Sequence, residues 1–213
     1  ICFRGRCTAT PPPTRYVATA MPPADVVFID ACAAAGARRI LDGMDDANEL
    51  VPIPFAFRYF AQDLPVGFMA NVTTNGYLNL DGMSTNLSGV FITSTTAPNG
   101  IVAVHAGNLA TTAPICVATT GSAPNRKWVV EWSGAANRSG TTNTGNLVFE
   151  VIVSEGTDTI DMIFQRMDSA TSRYTGLEAI PGTPGVGGCP SGTTLTTFCT
   201  PAVGVRIRYT PST

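Results

Sequence analysis

From about Tyr16 onward, short runs rich in Val, Ile, Thr, Phe and Tyr alternate with turn residues. This rhythm belongs to an all-β protein. Eleven runs read as strands: 26–29, 51–59, 68–72, 76–80, 101–105, 115–119, 127–132, 147–154, 159–166, 173–179 and 203–209. They suit two packed antiparallel sheets, a β-sandwich of jelly-roll type with long loops. Alternation is sharpest in Lys127-Trp128-Val129-Val130-Glu131-Trp132, where Trp128, Val130 and Trp132 share one face and Lys127, Val129 and Glu131 the other. Both tryptophans are expected in the core. By the same rule Leu147, Phe149, Val151 and Val153 point inward, as do Ile160, Met162 and Phe164, which leaves Glu150 and Asp161 facing out onto solvated sheet surface. Glu155-Gly156-Thr157-Asp158 supplies turn chemistry for an antiparallel hairpin between 147–154 and 159–166, and Thr74-Asn75-Gly76-Tyr77 marks a second hairpin because Asn-Gly tolerates positive φ. Residues 31–41 have the best helix propensity in the chain. Gly36 interrupts them, however, and their apolar positions form no 3.6-residue stripe, so a helix is not expected there.

Composition narrows the class. The chain has 213 residues, 44% of them hydrophobic, with 21 glycines and 16 prolines, enough for a core and rich in turns. Formal net charge is −2 and 13% of positions are charged, which gives no electrostatic case for nucleic acid or anionic lipid as partner. There is no run of about eighteen apolar residues, so no membrane insertion is expected. Six cysteines, Cys2, Cys7, Cys32, Cys116, Cys189 and Cys199, form an even set with no CxxC pair and a single histidine, which favours disulfides over metal binding. Short loops close at least cost, so the expected pairs are Cys2–Cys7 and Cys189–Cys199, leaving Cys32 with Cys116. Bridges of this kind place the chain in a secreted or cell-surface setting. Residues 1–14, with Pro11-Pro12-Pro13, read as the cysteine-containing tail of an upstream unit and a stiff linker; residues 15–213 read as one β-sandwich domain of a larger protein. One Lys against twelve Arg, with abundant Ala, Gly, Thr and Pro, is the usage of high-GC bacteria.

An ordered series of motifs adds a family likeness. Val51-Pro52-Ile53-Pro54-Phe55-Ala56-Phe57-Arg58-Tyr59-Phe60, Val72-Thr73-Thr74-Asn75-Gly76-Tyr77-Leu78-Asn79-Leu80, Pro98-Asn99-Gly100-Ile101-Val102-Ala103, the 119–132 run, Phe149 to Gly156 and Tyr174-Thr175-Gly176-Leu177-Glu178 follow one another. This series resembles secreted bacterial β-sandwich modules found, often in myxobacteria, on surface lipoproteins and as accessory regions of secreted peptidases, distantly similar to the NIDO domain of nidogen. The likeness spans roughly residues 26 to 209. It implies an extracellular structural or binding module and transfers no catalytic residue. Where such modules carry an aromatic and paired Asp after the Ile-Val-Ala strand, this chain has Val104-His105-Ala106-Gly107-Asn108-Leu109.

The candidate chemistry is sparse. His105 is the single histidine, and its expected place is a strand end. There is no G-x-S-x-G elbow and no odd cysteine to serve as nucleophile, so no catalytic residue is assigned. Glu131 and Glu150 fall on neighbouring strands, and a pair of carboxylates about 5 to 9.5 Å apart in a cleft would hydrolyse glycosides. Asp42, Asp45, Asp46, Asn48 and Glu49 crowd one loop with side-chain oxygens, which makes calcium the one cofactor with a candidate site, although their spacing is not that of an EF-hand. Three sequons, at Asn71, Asn86 and Asn137, are treated as chance. Residues 84–96 and 133–145, rich in Ser, Thr, Gly and Asn, read as long loops where binding resides. The expectation is therefore a non-catalytic extracellular module for adhesion, ligand binding or structural display, with an extracellular glycan or protein as partner. The alternative is a secreted glycan hydrolase.

Overall fold

The computed structural model describes residues 2–3, 6–7, 14–22, 27–82, 92–191 and 194–213, with backbone alone at 2–3, 6–7, 190–191 and 194–195. Among the described residues every regular element is a strand. In chain order these are β1 (Cys2–Phe3), β2 (Arg6–Cys7), β3 (Arg15–Met21), β4 (Arg38–Ile40), β5 (Asn48–Pro52), β6 (Phe57–Tyr59), β7 (Gln62–Leu64), β8 (Met69–Thr73), β9 (Tyr77–Asn79), β10 (Ile101–Ala106), β11 (Leu109–Thr111), β12 (Ile115–Thr120), β13 (Lys127–Ser139), β14 (Thr142–Ser154), β15 (Ile160–Asp168), β16 (Arg173–Glu178), β17 (Gly185–Gly187), β18 (Cys189–Ser191), β19 (Thr194–Thr196), β20 (Phe198–Cys199) and β21 (Arg206–Ser212).

Two sheets carry the fold, as the all-β sandwich reading requires. One runs β3-β21-β15-β14-β13-β12-β4, with β11 also on β13; the other runs β17-β16-β10-β9-β8-β5, with β20 on β16. Pairing is antiparallel throughout, so each strand offers alternate residues to the space between the sheets. Trp128, Val130, Trp132, Phe149, Val151, Ile160, Met162 and Phe164 fill that space from the first sheet; Val72, Leu78, Val102 and Leu177 meet them from the second. Trp132 also donates its Nε1–H to the Thr73 carbonyl at 2.9 Å, a hydrogen bond from one sheet to the other. The β6–β7 hairpin adds Phe57 and Tyr59, and the Tyr59 ring meets Phe60 edge-on at 4.9 Å.

Both predicted hairpins are present. β14 and β15 pair through the 155–158 turn, and β8 meets β9 across Asn75-Gly76. Gly76 has φ +77°, and a Cβ there would lie 2.4 Å from the His105 carbonyl oxygen, so the position excludes any side chain. Disulfides Cys32–Cys116 and Cys189–Cys199 are formed as expected. Cys2 and Cys7 are register partners across the β1–β2 hairpin, but their side chains lie outside the described residues.

Several expectations need correction. Val27, Phe28 and Ile29 form no strand; they begin an irregular segment, with Val26 outside the described residues. The 51–59 run is two strands, β5 and β6, broken at residues 53–56 beside Pro52 and Pro54, which lack the N–H that a continuous ladder needs. Residues 133–145 are not a loop but the distal halves of β13 and β14, where buried Ala135 and Ala136 let bulged strands pack closely. The 84–96 expectation falls largely outside the described residues. Residues 31–41 form turns and then β4, not a helix.

Candidate functional site

Alternation along β13, β14 and β15 places Glu131, Glu150 and Asp161 on the outer face of the eight-stranded sheet, with Glu131 and Glu150 directly opposite each other. The sequence makes this face solvated, yet the three residues are 4%, 0% and 3% exposed. Residues 27–37 cross the sheet as a strap. Phe28, Ile29, Ala31 and Ala34 of the strap pack on Ala118, Val129, Ile152 and Ile163. Its backbone is held by the acids: Glu131 Oε2 accepts from Ala31 N at 2.7 Å and Cys32 N at 3.2 Å, and Glu150 Oε1 accepts from Ile29 N at 3.0 Å. The Cys32–Cys116 disulfide pins the strap beside them, since Cys116 is the cross-strand neighbour of Glu131.

Electrostatics follow from this covering. Burial pushes the Glu150 carboxyl up to about 8; the Glu131 and Asp161 charges add to the rise, and the Ile29 N–H and Lys127 oppose it. Its Oε2 is buried without a hydrogen-bond partner among the described residues, a fitting place for the retained proton. Burial also raises Glu131, against the Cys32 and Ala31 N–H groups, and raises Asp161, against Arg208. A glycosidase pair needs both carboxylates open to a sugar across a cleft. Here they face the underside of a strap. An open depression of about 380 Å³ nearby is lined by residues such as Arg38, Val51, Pro52, Pro54, Val117 and Trp128, with no carboxylate.

The other sheet repeats the device. Glu178 is fully buried, accepts from Ser94 N at 2.7 Å, and is raised to about 7 by burial against the Ser94 and Thr93 N–H groups. Nearby, Ile92 covers Tyr77, Ile101 and Ala103 on that sheet's outer face. Three glutamates, Glu131 and Glu150 on one sheet and Glu178 on the other, thus carry backbone segments, which is a structural use of an acid.

The five oxygen-bearing residues of the acidic loop do not converge. Asp45 is 2.7 Å from Arg138 Nε, Asp46 Oδ1 accepts from Asn75 Nδ2 at 2.9 Å, Asn48 Nδ2 donates to Asn71 Oδ1 at 2.8 Å, Glu49 pairs with Arg38, and Asp42 is exposed in a turn. Among the described residues, the metal-capable grouping is Asp30, Cys32 and Glu131, with ligand atoms within 4.8 Å of one another. The Cys32 sulfur is committed to the disulfide, so two carboxylates remain, too few for a closed site.

His105 is the penultimate residue of β10, at the strand end expected for it. It is fully buried, edge-on to Phe149 at 5.8 Å, and both ring nitrogens lack hydrogen-bond partners among the described residues. Burial, with the Arg173 charge adding, lowers its pKa to about 3, so the ring stays neutral. A base needs access to a proton donor in solvent or substrate, and this imidazole has neither. Sequence reasoning missed the strap and the Asp161 cluster, in which Arg206 and Arg208 each reach the Asp161 carboxylate through Nε and Nη2. The Arg-x-Arg spacing, which puts both guanidiniums on one strand face, was the available signal for the latter.

No curated protein and no solved structure matches the chain. The family model described as NIDO related matches residues 28–208, from the strap to β21. The span holds the strap from Phe28, the smaller sheet, the larger sheet apart from β3 and the end of β21, and the two described disulfides, and the chain belongs to the NIDO-related family.

Proposed function

We propose that the chain is a non-catalytic extracellular module that binds a ligand or displays other parts of a larger secreted protein. The observation that carries this reading is the use of Glu131 and Glu150, the one carboxylate pair suited to hydrolysis, as hydrogen-bond acceptors beneath a disulfide-pinned strap. Two disulfides and membership of the NIDO-related family are consistent with an extracellular location. Surface display in a bacterium, with adhesion as the outcome, fits the composition and the motif likeness.

The test is to incubate the oxidised chain with arrays of extracellular polysaccharides and matrix proteins and to follow retention and new reducing ends together. Retention without turnover is expected. Release of reducing sugar that disappears in Glu150→Gln would overturn the proposal in favour of a hydrolase.

A further inference from the structure

Elsewhere on the molecule four arginines each meet one carboxylate, Arg38 with Glu49, Arg58 with Asp63, Arg126 with Glu155 and Arg138 with Asp45, while Arg39 donates to the Cys32 carbonyl and Arg173 to Asn137 Oδ1 and backbone carbonyls. The outer face of the eight-stranded sheet departs from that pattern. Tyr16, Trp128, Met167, Ile207 and Tyr209 take inward positions in the core, so alternation turns Arg15 of β3, Lys127 of β13, Arg166 of β15, and Arg206 and Arg208 of β21 outward. On the same face Asp161 is 3% exposed and Glu131 and Glu150 lie under the strap, which leaves Asp168 and the strap's Asp30 as the exposed acids there. Arg15, Lys127 and Arg166 are exposed, with no carboxylate within 4 Å among the described residues.

Asp161 does more than neutralise. It accepts from Arg206 Nε at 2.9 Å and Nη2 at 2.7 Å, and from Arg208 Nε at 2.8 Å and Nη2 at 3.0 Å, which fixes two guanidinium planes side by side at little further entropic cost to a ligand. The Arg208 side chain is 39% exposed, and its Nη1 has no partner among the described residues. Five adjacent strands, β13 to β3 through β14, β15 and β21, spread these cations over about 19 Å at ~4.8 Å per strand. Between them stand Thr19, Thr210 and Ser212, hydroxyl-bearing and turned the same way. Outward positions of β3, β15 and β21 hold no aromatic ring, so these strands lack the stacking platforms of single-strand nucleic-acid binders and the aromatic anchors of membrane-surface binders; the strap's Phe28 is half-buried against the sheet.

The geometry points to this face as a binding surface for an acidic polysaccharide, whose carboxylate or sulfate groups pair with Arg15, Lys127, Arg166 and Arg208 while its hydroxyls meet Thr19, Thr210 and Ser212. A formal net charge of −2 hides the surplus because the balancing acids lie on other surfaces or beneath straps. The inference rests on the reading of the chain as an extracellular binding module. Turnover of a glycan would remove that reading, whereas binding that ignores these cations would remove only this one.

The experiment titrates the oxidised chain with polygalacturonate and with dextran sulfate, with neutral dextran, single-stranded DNA and phosphatidylglycerol vesicles in parallel, at low and at physiological salt. At least one acidic polymer is expected to bind and dextran not to, with affinity falling as salt rises. Arg15→Gln/Lys127→Gln/Arg166→Gln, which touches exposed side chains and keeps the thermal midpoint, is expected to bind about tenfold more weakly or worse. Arg38→Gln/Arg138→Gln, altering cations away from the face, is expected to bind as the parent does. Absence of binding to both acidic polymers, or affinity unchanged in the triple variant, overturns the assignment. Equal or tighter binding to the DNA or the vesicles also overturns it, by giving the face to another polyanion.

Discussion

Glu150 keeps one carboxylate oxygen on the Ile29 N–H and buries the other without a partner among the described residues, opposite Glu131. Its folded pKa of about 8 lies above the ordinary 4.5, so the fold retains a proton that the unfolded chain releases. Stability from the neutral acid is fully present below about pH 4.5, falls as pH rises and levels off above about pH 8. At about 1.4 kcal/mol per pKa unit the ceiling is on the order of 5 kcal/mol. Denaturant unfolding at pH 5 and pH 8.5 should show the parent losing roughly 2–4 kcal/mol, and Glu150→Gln, whose amide oxygen still accepts from Ile29, losing less than half as much. Equal losses in the two proteins would refute the assignment. At Gly76, a methyl group meets the His105 carbonyl at 2.4 Å with φ at +77°. Gly76→Ala should therefore cost roughly 2 kcal/mol or more in the same assay. The Asn75-Gly76 signal was legible from the local sequence alone. The state of Glu150 was not, because its partner lies 121 positions away and alternation reports which face a residue takes without reporting what covers it.

The strap and the β13–β14 ribbon show the same limit for whole elements. Apolar alternation made 127–132, 147–154 and 159–166 readable, and they form the middle of the larger sheet. The distal parts of β13 and β14 are polar and small, so nothing in their pattern distinguished strand from loop; their pairing is settled by bulges at residues 132–137. The strap has helix-favouring alanines but is held by the Cys32–Cys116 bond and three hydrogen bonds to acids, all long-range. Cysteine arithmetic recovered the bond without revealing what it fastened. With 84 residues between its cysteines, the chain-entropy account gives about 4.5 kcal/mol, against about 2.7 for the ten-residue separation of Cys189–Cys199. Cys32→Ser/Cys116→Ser should be destabilised by about 2–5 kcal/mol, and amide exchange at Ile29, Ala31 and Cys32 should rise well before that of β13. Unchanged protection at those three amides would mean that the acids alone hold the strap.

Across the whole molecule, two layers and an inter-sheet indole contact were legible because they depend on period-two burial, which a sequence displays directly. One outer strand of the larger sheet was missed: β3 is an edge strand whose outward side carries Arg15, Val17 and Thr19, and only Tyr16 is buried against the core. The cationic face was equally hidden, since its members come from positions 15, 127, 166, 206 and 208 and meet only after the sheet assembles. β3 lies antiparallel to β21, with Arg15 opposite Ser212 and Met21 opposite Arg206. Tension applied through residues 14 and 213 would then act at one end of a zipper, opening one rung after another instead of shearing all rungs together. Single-molecule pulling from those points should detach β3 at low force before the remaining sandwich yields, and a single high-force rupture would contradict it. Mechanically, such a unit is a fuse within any fibre that bears load through it.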